Sequence, residues 1–188
     1  MKKIAIFASG NGSNAENIAK YLSGNTVMEI ALILSNKKDA YVLERAINLK
    51  IPTCVFNRNT FYNSEEVLAI LKEREIDYIV LAGFLWLIPD YLIKAFPNKI
   101  INIHPALLPH YGGKGMYGSF VHEAVHKAKD KETGITIHLV NKKYDDGEIL
   151  FQTRTVINSS DTPDSIASKV HELEYKHFPR VVVEYIGR

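Results

Sequence analysis

The chain has 188 residues, 46% of them hydrophobic, and its 23 Lys and Arg against 21 Asp and Glu give a formal net charge of +2. This length and composition predict a single domain over residues 1–188 with one sizeable core, and the balanced charge gives no support to a nucleic-acid partner. No apolar run reaches the roughly 18 residues of a membrane span, and the single cysteine, Cys54, has no disulfide partner, so we expect a cytoplasmic protein without a membrane partner.

Short β-branched runs alternate with amphipathic segments over the first half of the chain. The predicted strands are Ile4 to Ser9 and then VMEIALILS, IPTCVF, DYIVLAG and KIINIH. The predicted helices between them cover about 14–23, 40–49, 64–74 and 89–95. This alternation predicts an α/β fold with one doubly wound, mainly parallel sheet and helices on both faces.

The pattern changes in the last third of the chain. GITIHLV and EILFQTRTVI are typical of two strands, and the turn-rich segment NKKYDDG joins them. We therefore expect a mixed or antiparallel region that extends the sheet. From Thr162 onward, a Thr-Pro-Asp start and apolar residues at helical spacing predict a C-terminal helix.

Asn102 and His104 stand two residues apart at the end of KIINIH, directly before Pro105. Side chains at i and i+2 of a strand point to the same face, so the amide and the imidazole project together. Pro105 disfavours helical dihedrals at His104, which keeps the pair at the carboxyl end of a strand, where open α/β sheets bind ligands. Such a pair suits a reaction that develops charge on a carbonyl oxygen, although a structural His remains an alternative.

The stretch from Gly10 to Asn14, GNGSN, lies between the first strand and the first helix. Glycines let the backbone approach a ligand closely, and the free amides of Gly12, Ser13 and Asn14 at a helix N-terminus favour an anion, of which phosphate is the natural choice. The stretch also satisfies the dinucleotide pattern G-x-G-x-x-A. The acidic residue expected after the second strand is missing, which counts against a dinucleotide site, although this site and a plain glycine turn stay as alternatives.

A third motif, Tyr144 to Glu148, places two acids before Gly147. Acidic residues next to Gly are ordinarily turn formers. A carboxylate within reach of an imidazole, however, orients the ring, raises its pKa and relays protons through water. The pattern allows either Asp145 or Asp146 to do this for His104.

The other histidines and acids give no metal-ligand spacing such as HExxH, so no metal is predicted. We interpret four of these histidines as surface or structural residues: His110, His122, His126 and His138.

Taken together, these motifs resemble one family. GNGSN, LAGF before an apolar loop, NIHPALLP, and DDG before a strand are similar to the motifs of the phosphoribosylglycinamide formyltransferases, also called GAR transformylases. NIHPxLLP with a following acidic loop marks the wider formyltransferase group, and GNGSN selects this branch. The resemblance covers essentially the whole chain and implies a Rossmann-like fold. It also implies formyl transfer from 10-formyltetrahydrofolate to the amine of glycinamide ribonucleotide in purine synthesis.

The resemblance also implies roles for individual residues. Asn102, His104 and Asp145 match the catalytic residues of the family. The loop from Gly10 through Asn11, Gly12 and Ser13 to Asn14 matches the part that holds the ribose phosphate. Glu174 matches a Glu that contacts the sugar, with His171 nearby.

The folate side is implied in the same way, with two departures from the family pattern. The implied pocket residues are Phe84, Leu85, Trp86, Leu87, Ile88, Val140 and Asp145. Trp86 stands where family members often carry Arg, and HYGGKGMYG replaces a more familiar stretch containing YPG.

Two other functions stay open at this point. A formyltetrahydrofolate hydrolase would use the same three residues on water, although GNGSN counts against it because water needs no phosphate site. A nucleotide-binding or NADP-dependent α/β module would leave the Asn102, His104 and Asp145 pattern unexplained. The expected partners are the two small-molecule substrates, and we expect a monomer or a homodimer.

Overall fold

The computed structural model describes residues 1–188, which form one seven-stranded sheet. The strands are β1 (Lys2–Phe7), β2 (Met28–Ser35), β3 (Thr53–Val55), β4 (Tyr78–Leu81), β5 (Ile100–His104), β6 (Glu132–Leu139) and β7 (Ile149–Val156). Their order across the sheet is β3-β2-β1-β4-β5-β6-β7. Neighbours from β3 to β5 run parallel, whereas β6 is antiparallel to both β5 and β7. The predicted fold class, including the mixed region after residue 130, is confirmed.

Seven helices accompany the sheet. They are α1 (Ser13–Tyr21), α2 (Tyr41–Asn48), α3 (Arg58–Tyr62), α4 (Glu66–Glu73), α5 (Asp90–Ala95), α6 (Ser119–Ala128) and α7 (Pro163–Ile186). Helices α3 and α6 were not among the sequence predictions, whereas the others lie close to their predicted positions. None of these helices has the length and apolar character that a membrane crossing requires.

Alternate residues of each central strand bury on opposite faces of the sheet. On β1, Ile4 and Ile6 enter one core, which α1, α2 and α7 cover, whereas Ala5 and Phe7 enter the other, which α3, α4 and α5 cover. This division explains why β1 is apolar throughout, because both of its faces are covered.

Helix α7 begins at a capping box and contains a proline that leaves one backbone carbonyl free to bind α1. Thr162 and Ser165 exchange side-chain and backbone hydrogen bonds at the start of the helix, where the Thr-Pro-Asp sequence predicts its beginning. Pro179 inside the helix has no N–H for the carbonyl of Tyr175, four residues earlier. Asn17 of α1 donates its side-chain amide to that carbonyl at 2.9 Å. The proline thereby frees an acceptor that holds α1 against α7.

The chain reverses its direction of progress across the sheet between β1 and β4, which lie side by side. In an open α/β sheet, ligands bind at such a switch point, beyond the carboxyl ends of the strands. The loops that leave β1, β4 and β5 all begin at this edge.

Candidate active site

A cavity of about 860 Å³ opens at this edge of the sheet. Its walls come from four segments, Ser9–Asn14, Leu81–Ile88, Asn102–Pro105 and Gly113–Ser119, together with residues of α6, α7 and the loop before β7. The cavity therefore brings together the three motifs that the sequence singled out, which are far apart along the chain.

Asn102 and His104 both line this cavity, as their spacing on β5 predicts. The His104 side chain is almost fully enclosed, with 3% of the residue exposed. Its Nε2 donates to the carbonyl of Tyr111 at 2.7 Å, which leaves the lone pair of the neutral ring on Nδ1. That nitrogen lies 3.5 Å from Oδ2 of Asp145.

The segment that follows His104 is held in place by β6. Thr136 donates its hydroxyl to the carbonyl of Ala106 at 2.7 Å and accepts the amide of Leu108 at 3.0 Å. Gln152 on β7 donates to the same hydroxyl at 2.8 Å. The backbone that positions the imidazole is therefore fixed by buried hydrogen bonds.

Asp145, rather than Asp146, points into the cavity. The Asp145 side chain is 10% exposed, its Oδ2 accepts the amide of Gly113 at 3.0 Å, and its Oδ1 accepts a long bond from Asn102 Nδ2 at 3.5 Å. Asp146 is 53% exposed and pairs with Lys143 at 3.7 Å. A positive φ of 51° at Asp145 turns its side chain inward, a conformation that Asp tolerates better than most residues.

The electrostatics of this group favour a neutral ring beside a charged carboxylate. Burial lowers the pKa of the His104 imidazole below its ordinary value, and the carboxylate of Asp145 offsets this effect only in part. Burial also acts to raise the pKa of Asp145, but the nearby rings of His138 and His104 and the hydrogen bond from the Gly113 amide hold it below the usual value. The carboxylate of Asp145 thus acts to raise the pKa of His104 as expected, but burial outweighs it and the net shift is downward.

His138, interpreted from the sequence as a surface or structural residue, is buried and lines this cavity. It stands directly opposite Asn102 in the antiparallel pairing of β5 with β6. Its Nδ1 donates to the carbonyl of Leu139 at 2.8 Å, so Nε2 accepts from Asn102 Nδ2 at 3.1 Å. His138 therefore orients the amide of Asn102.

The other three histidines interpreted as surface or structural residues differ in exposure. His110 and His126 are exposed. His122 on α6 is buried and forms part of the cavity wall. Its spacing gave no signal in the sequence, because the helix that carries it was not predicted.

The loop from Gly10 to Asn14 forms the wall of the cavity at the N-terminus of α1. Gly12 precedes the helix with a φ of 75°, and Val42 of α2 packs against it. Arg45 donates to both the carbonyl and the side chain of Asn11 at 2.9 Å. Backbone amides at the start of the helix are thus presented to the cavity on a rigid loop, as an anion site requires.

Replacing Gly12 by Ala should disturb this loop strongly. A Cβ there would clash with the side chain of Val42 and lie 2.8 Å from its Cα, at a backbone conformation that side chains disfavour. We expect a loss of roughly 1–3 kcal/mol in the free energy of unfolding, measured by urea denaturation. Gly10→Ala is the control, because a Cβ at Gly10 meets nothing within 4 Å. Equal stability of the two variants would contradict this account.

Glu174 and His171 of α7 lie beside this loop and line the same cavity. Oε2 of Glu174 accepts from Asn14 Nδ2 at 2.8 Å and from His171 Nδ1 at 3.0 Å. That hydrogen bond is the main cause that raises the pKa of His171 above its ordinary value. Oδ1 of Asn14 is enclosed and has no hydrogen-bond partner.

The segment Phe84 to Ile88 forms the opposite wall, together with Val140, and every residue from 84 to 88 borders the cavity. Phe84 and Trp86 pack in an aromatic cluster with their ring centroids 6.3 Å apart. Tyr62 donates its hydroxyl to the carbonyl of Leu87 at 2.9 Å, so that carbonyl already has a partner. This wall is apolar and suits a flat aromatic ligand.

An amide donor, an imidazole and a carboxylate thus meet between an anion site and an apolar wall. This combination is suited to acyl transfer onto a phosphorylated acceptor. The sequence profile of the formyl transferase family matches residues 2–182, and the chain belongs to that family.

Within the family, the chain is similar to proteins named phosphoribosylglycinamide formyltransferase. It is 38% identical over 192 residues to that of Bacillus subtilis, covering 100% of this chain and 96% of the relative. It is 42% identical to the chloroplastic protein of Arabidopsis thaliana, covering 96% of this chain but spanning only 64% of that protein's length. The crystal structure of the Streptococcus pneumoniae protein is similar with a TM-score of 0.87, 34% identity and full coverage of both chains.

Proposed function

We propose that this protein transfers the formyl group of 10-formyltetrahydrofolate to the amine of glycinamide ribonucleotide. The observation that carries the proposal is the anion loop at the N-terminus of α1, which shares one cavity with Asn102, His104 and Asp145. The names of the relatives support the same reaction. Residues 1–188 would act as one formyltransferase domain.

The ribonucleotide would bind along the wall formed by α1 and α7. The amides of Gly12, Ser13 and Asn14 would bind its phosphate, because they lie at the positive end of a helix dipole. Glu174 would accept hydrogen bonds from ribose hydroxyls, with His171 beside it. This arrangement directs the amine end of the substrate toward Asn102 and His104.

The folate would lie against the other wall, where Phe84 to Ile88 and Val140 provide an apolar surface. Backbone groups of Leu87 and of the segment from Val140 to Asp145 would hold the pterin. Trp86 would add an aromatic face where family members often carry Arg, and the guanidinium of Arg58 lies 5.8 Å from its ring centroid. Folate acts here as a cosubstrate that delivers one carbon.

In the proposed reaction, the substrate amine attacks the formyl carbon and negative charge develops on the formyl oxygen. The amide of Asn102, oriented by His138, would give up its long bond to Asp145 and donate that hydrogen to the oxygen. His104 would enter the step with a proton from solvent already on Nδ1 and keep it throughout, and the imidazolium would be stabilised by Asp145 on one side and the Tyr111 carbonyl on the other. Its positive charge then stabilises the oxyanion.

Asp145 would complete the proton transfer. The C–N bond from the amine to the formyl carbon forms as the bond from that carbon to the folate nitrogen breaks. The amine loses a proton and the leaving nitrogen gains one, and Asp145 would relay it through a water. No electron is transferred, so the overall step needs no oxidant or reductant.

The decisive test is whether turnover requires the ribonucleotide. Tetrahydrofolate formation from 10-formyltetrahydrofolate, followed by absorbance, should proceed with glycinamide ribonucleotide present and nearly stop without it. Formate release at an undiminished rate without the amine would assign the protein as a hydrolase instead. Ribose 5-phosphate serves as the control, because it offers the phosphate and sugar but no amine.

A further inference from the structure

His122 is an enclosed residue of the cavity wall that no step of the proposed reaction uses. It lies on α6, with 4% of its surface exposed, between the buried residues Val121 and Val125 that anchor this helix. The charged and titratable groups that act on it are His171 and Glu174 from α7 and His104 from β5. It therefore lies between the sugar end of the cavity and its reacting end.

The hydrogen bonding of His122 is incomplete. Buried polar atoms nearly always have a partner, and the ring hydrogen bonds of this site belong to His104, His138 and His171. In His122, Nδ1 is enclosed without a partner, and Nε2 bonds to no protein group. Burying an imidazole without hydrogen bonds costs free energy, so packing alone does not explain a histidine at this position.

The two ring nitrogens of His122 are not equivalent. An enclosed N–H without an acceptor is rarer in proteins than an enclosed lone pair, so Nδ1 carries the lone pair and Nε2 carries the hydrogen. Burial also lowers the pKa of His122, which keeps the ring neutral near pH 7. The ring thus holds one N–H donor on the nitrogen that is not enclosed.

We propose that His122 determines specificity for the ribonucleotide by donating Nε2–H to a neutral oxygen of its ribosyl-glycinamide portion. This inference rests on the proposed function. The acceptor is a ribose hydroxyl or the glycinamide carbonyl, since the phosphate would be bound by the backbone amides of Gly12 to Asn14. We expect no contact with the folate, because His122 is next to His171 and Glu174 on the wall assigned to the ribonucleotide.

Two substitutions at His122 test the donor. His122→Phe keeps the ring shape and removes both nitrogens, and we expect the Kd and KM for glycinamide ribonucleotide to rise about tenfold. The KM for 10-formyltetrahydrofolate should stay within about twofold. His122→Gln places an amide near Nε2 and should recover part of the affinity. His126→Phe is the matched control on the same helix, because His126 is exposed.

Calorimetric binding of the ribonucleotide without folate keeps this test separate from turnover. An unchanged Kd in His122→Phe, or an equal loss for both substrates, would overturn the inference even if wild-type turnover establishes the proposed function. Failure of the wild type to bind or use the ribonucleotide would overturn the proposed function itself. Competition by ribose 5-phosphate locates the acceptor: a weaker Ki in His122→Phe places it on the sugar, and an unchanged Ki places it on the glycinamide. Nitrogen-15 NMR of the ring provides a further check, since a proton found on Nδ1 would exclude the donor role.

Discussion

His104→Ala should lower kcat by about two or more orders of magnitude while the Kd for glycinamide ribonucleotide changes only a few-fold. In the proposed reaction the imidazolium acts on charge that develops in the transition state, and the proposed phosphate and sugar contacts lie on other elements, at Gly12 to Asn14 and Glu174. Steady-state kinetics and calorimetry measure the two quantities separately.

His110→Ala is the matched control for that experiment, because His110 is exposed and lies in the segment that follows β5. It should retain wild-type kcat. Urea denaturation of His104→Ala checks that the fold survives the loss of the Tyr111 hydrogen bond. A nearly normal kcat in His104→Ala would show that this histidine is structural.

Asp145→Asn should also lower kcat by about 10²-fold, because an amide cannot relay the proton. Asn keeps the shape of the side chain and tolerates the positive φ at this position, so the backbone should remain in place. The carboxylate of Asp145 acts to raise the pKa of His104. Its removal therefore lowers that pKa further, and the limb of the pH profile that reports His104 should move to lower pH.

Asp146→Asn is the control for Asp145→Asn, since it removes the same charge from the neighbouring residue. Asp146 is exposed and its contacts are with Asn141 and Lys143. It should keep kcat within about twofold and affect chiefly stability or the KM for folate. A larger loss of kcat in Asp146→Asn than in Asp145→Asn would mean that the proton relay uses the other carboxylate.

The parallel part of the fold was predictable because local pattern and global topology agree there. Apolar runs such as Ile4 to Phe7 bury on both faces, which only a covered sheet allows. The i, i+2 spacing of Asn102 and His104 was sufficient to place both side chains in one cavity. The glycine loop was equally informative, since a positive φ at Gly12 is what its sequence favours.

Three features of the site could not be predicted from the sequence pattern, beginning with the contact between His138 and Asn102. His138 reaches Asn102 only because β5 and β6 pair in one particular antiparallel register, and a strand sequence does not name its partner. Helix α6, which carries His122, starts after Gly118 without a side-chain cap and gave no start signal. The residue pattern alone did not separate Asp145 from Asp146, because their orientation depends on a backbone dihedral that either residue can adopt, and only the family resemblance favoured Asp145.

The two hydrogen bonds between α1 and α7 affect the order in which the walls of the cavity form in a newly made chain. Asn14 bonds Glu174 across 160 residues, and Asn17 bonds the Tyr175 carbonyl across 158. The N-terminus of α1 and its partner on α7 are thus made about 160 residues apart along the chain. In a nascent chain, the cavity wall that α1 and α7 share can be completed only after α7 has left the ribosome and docked.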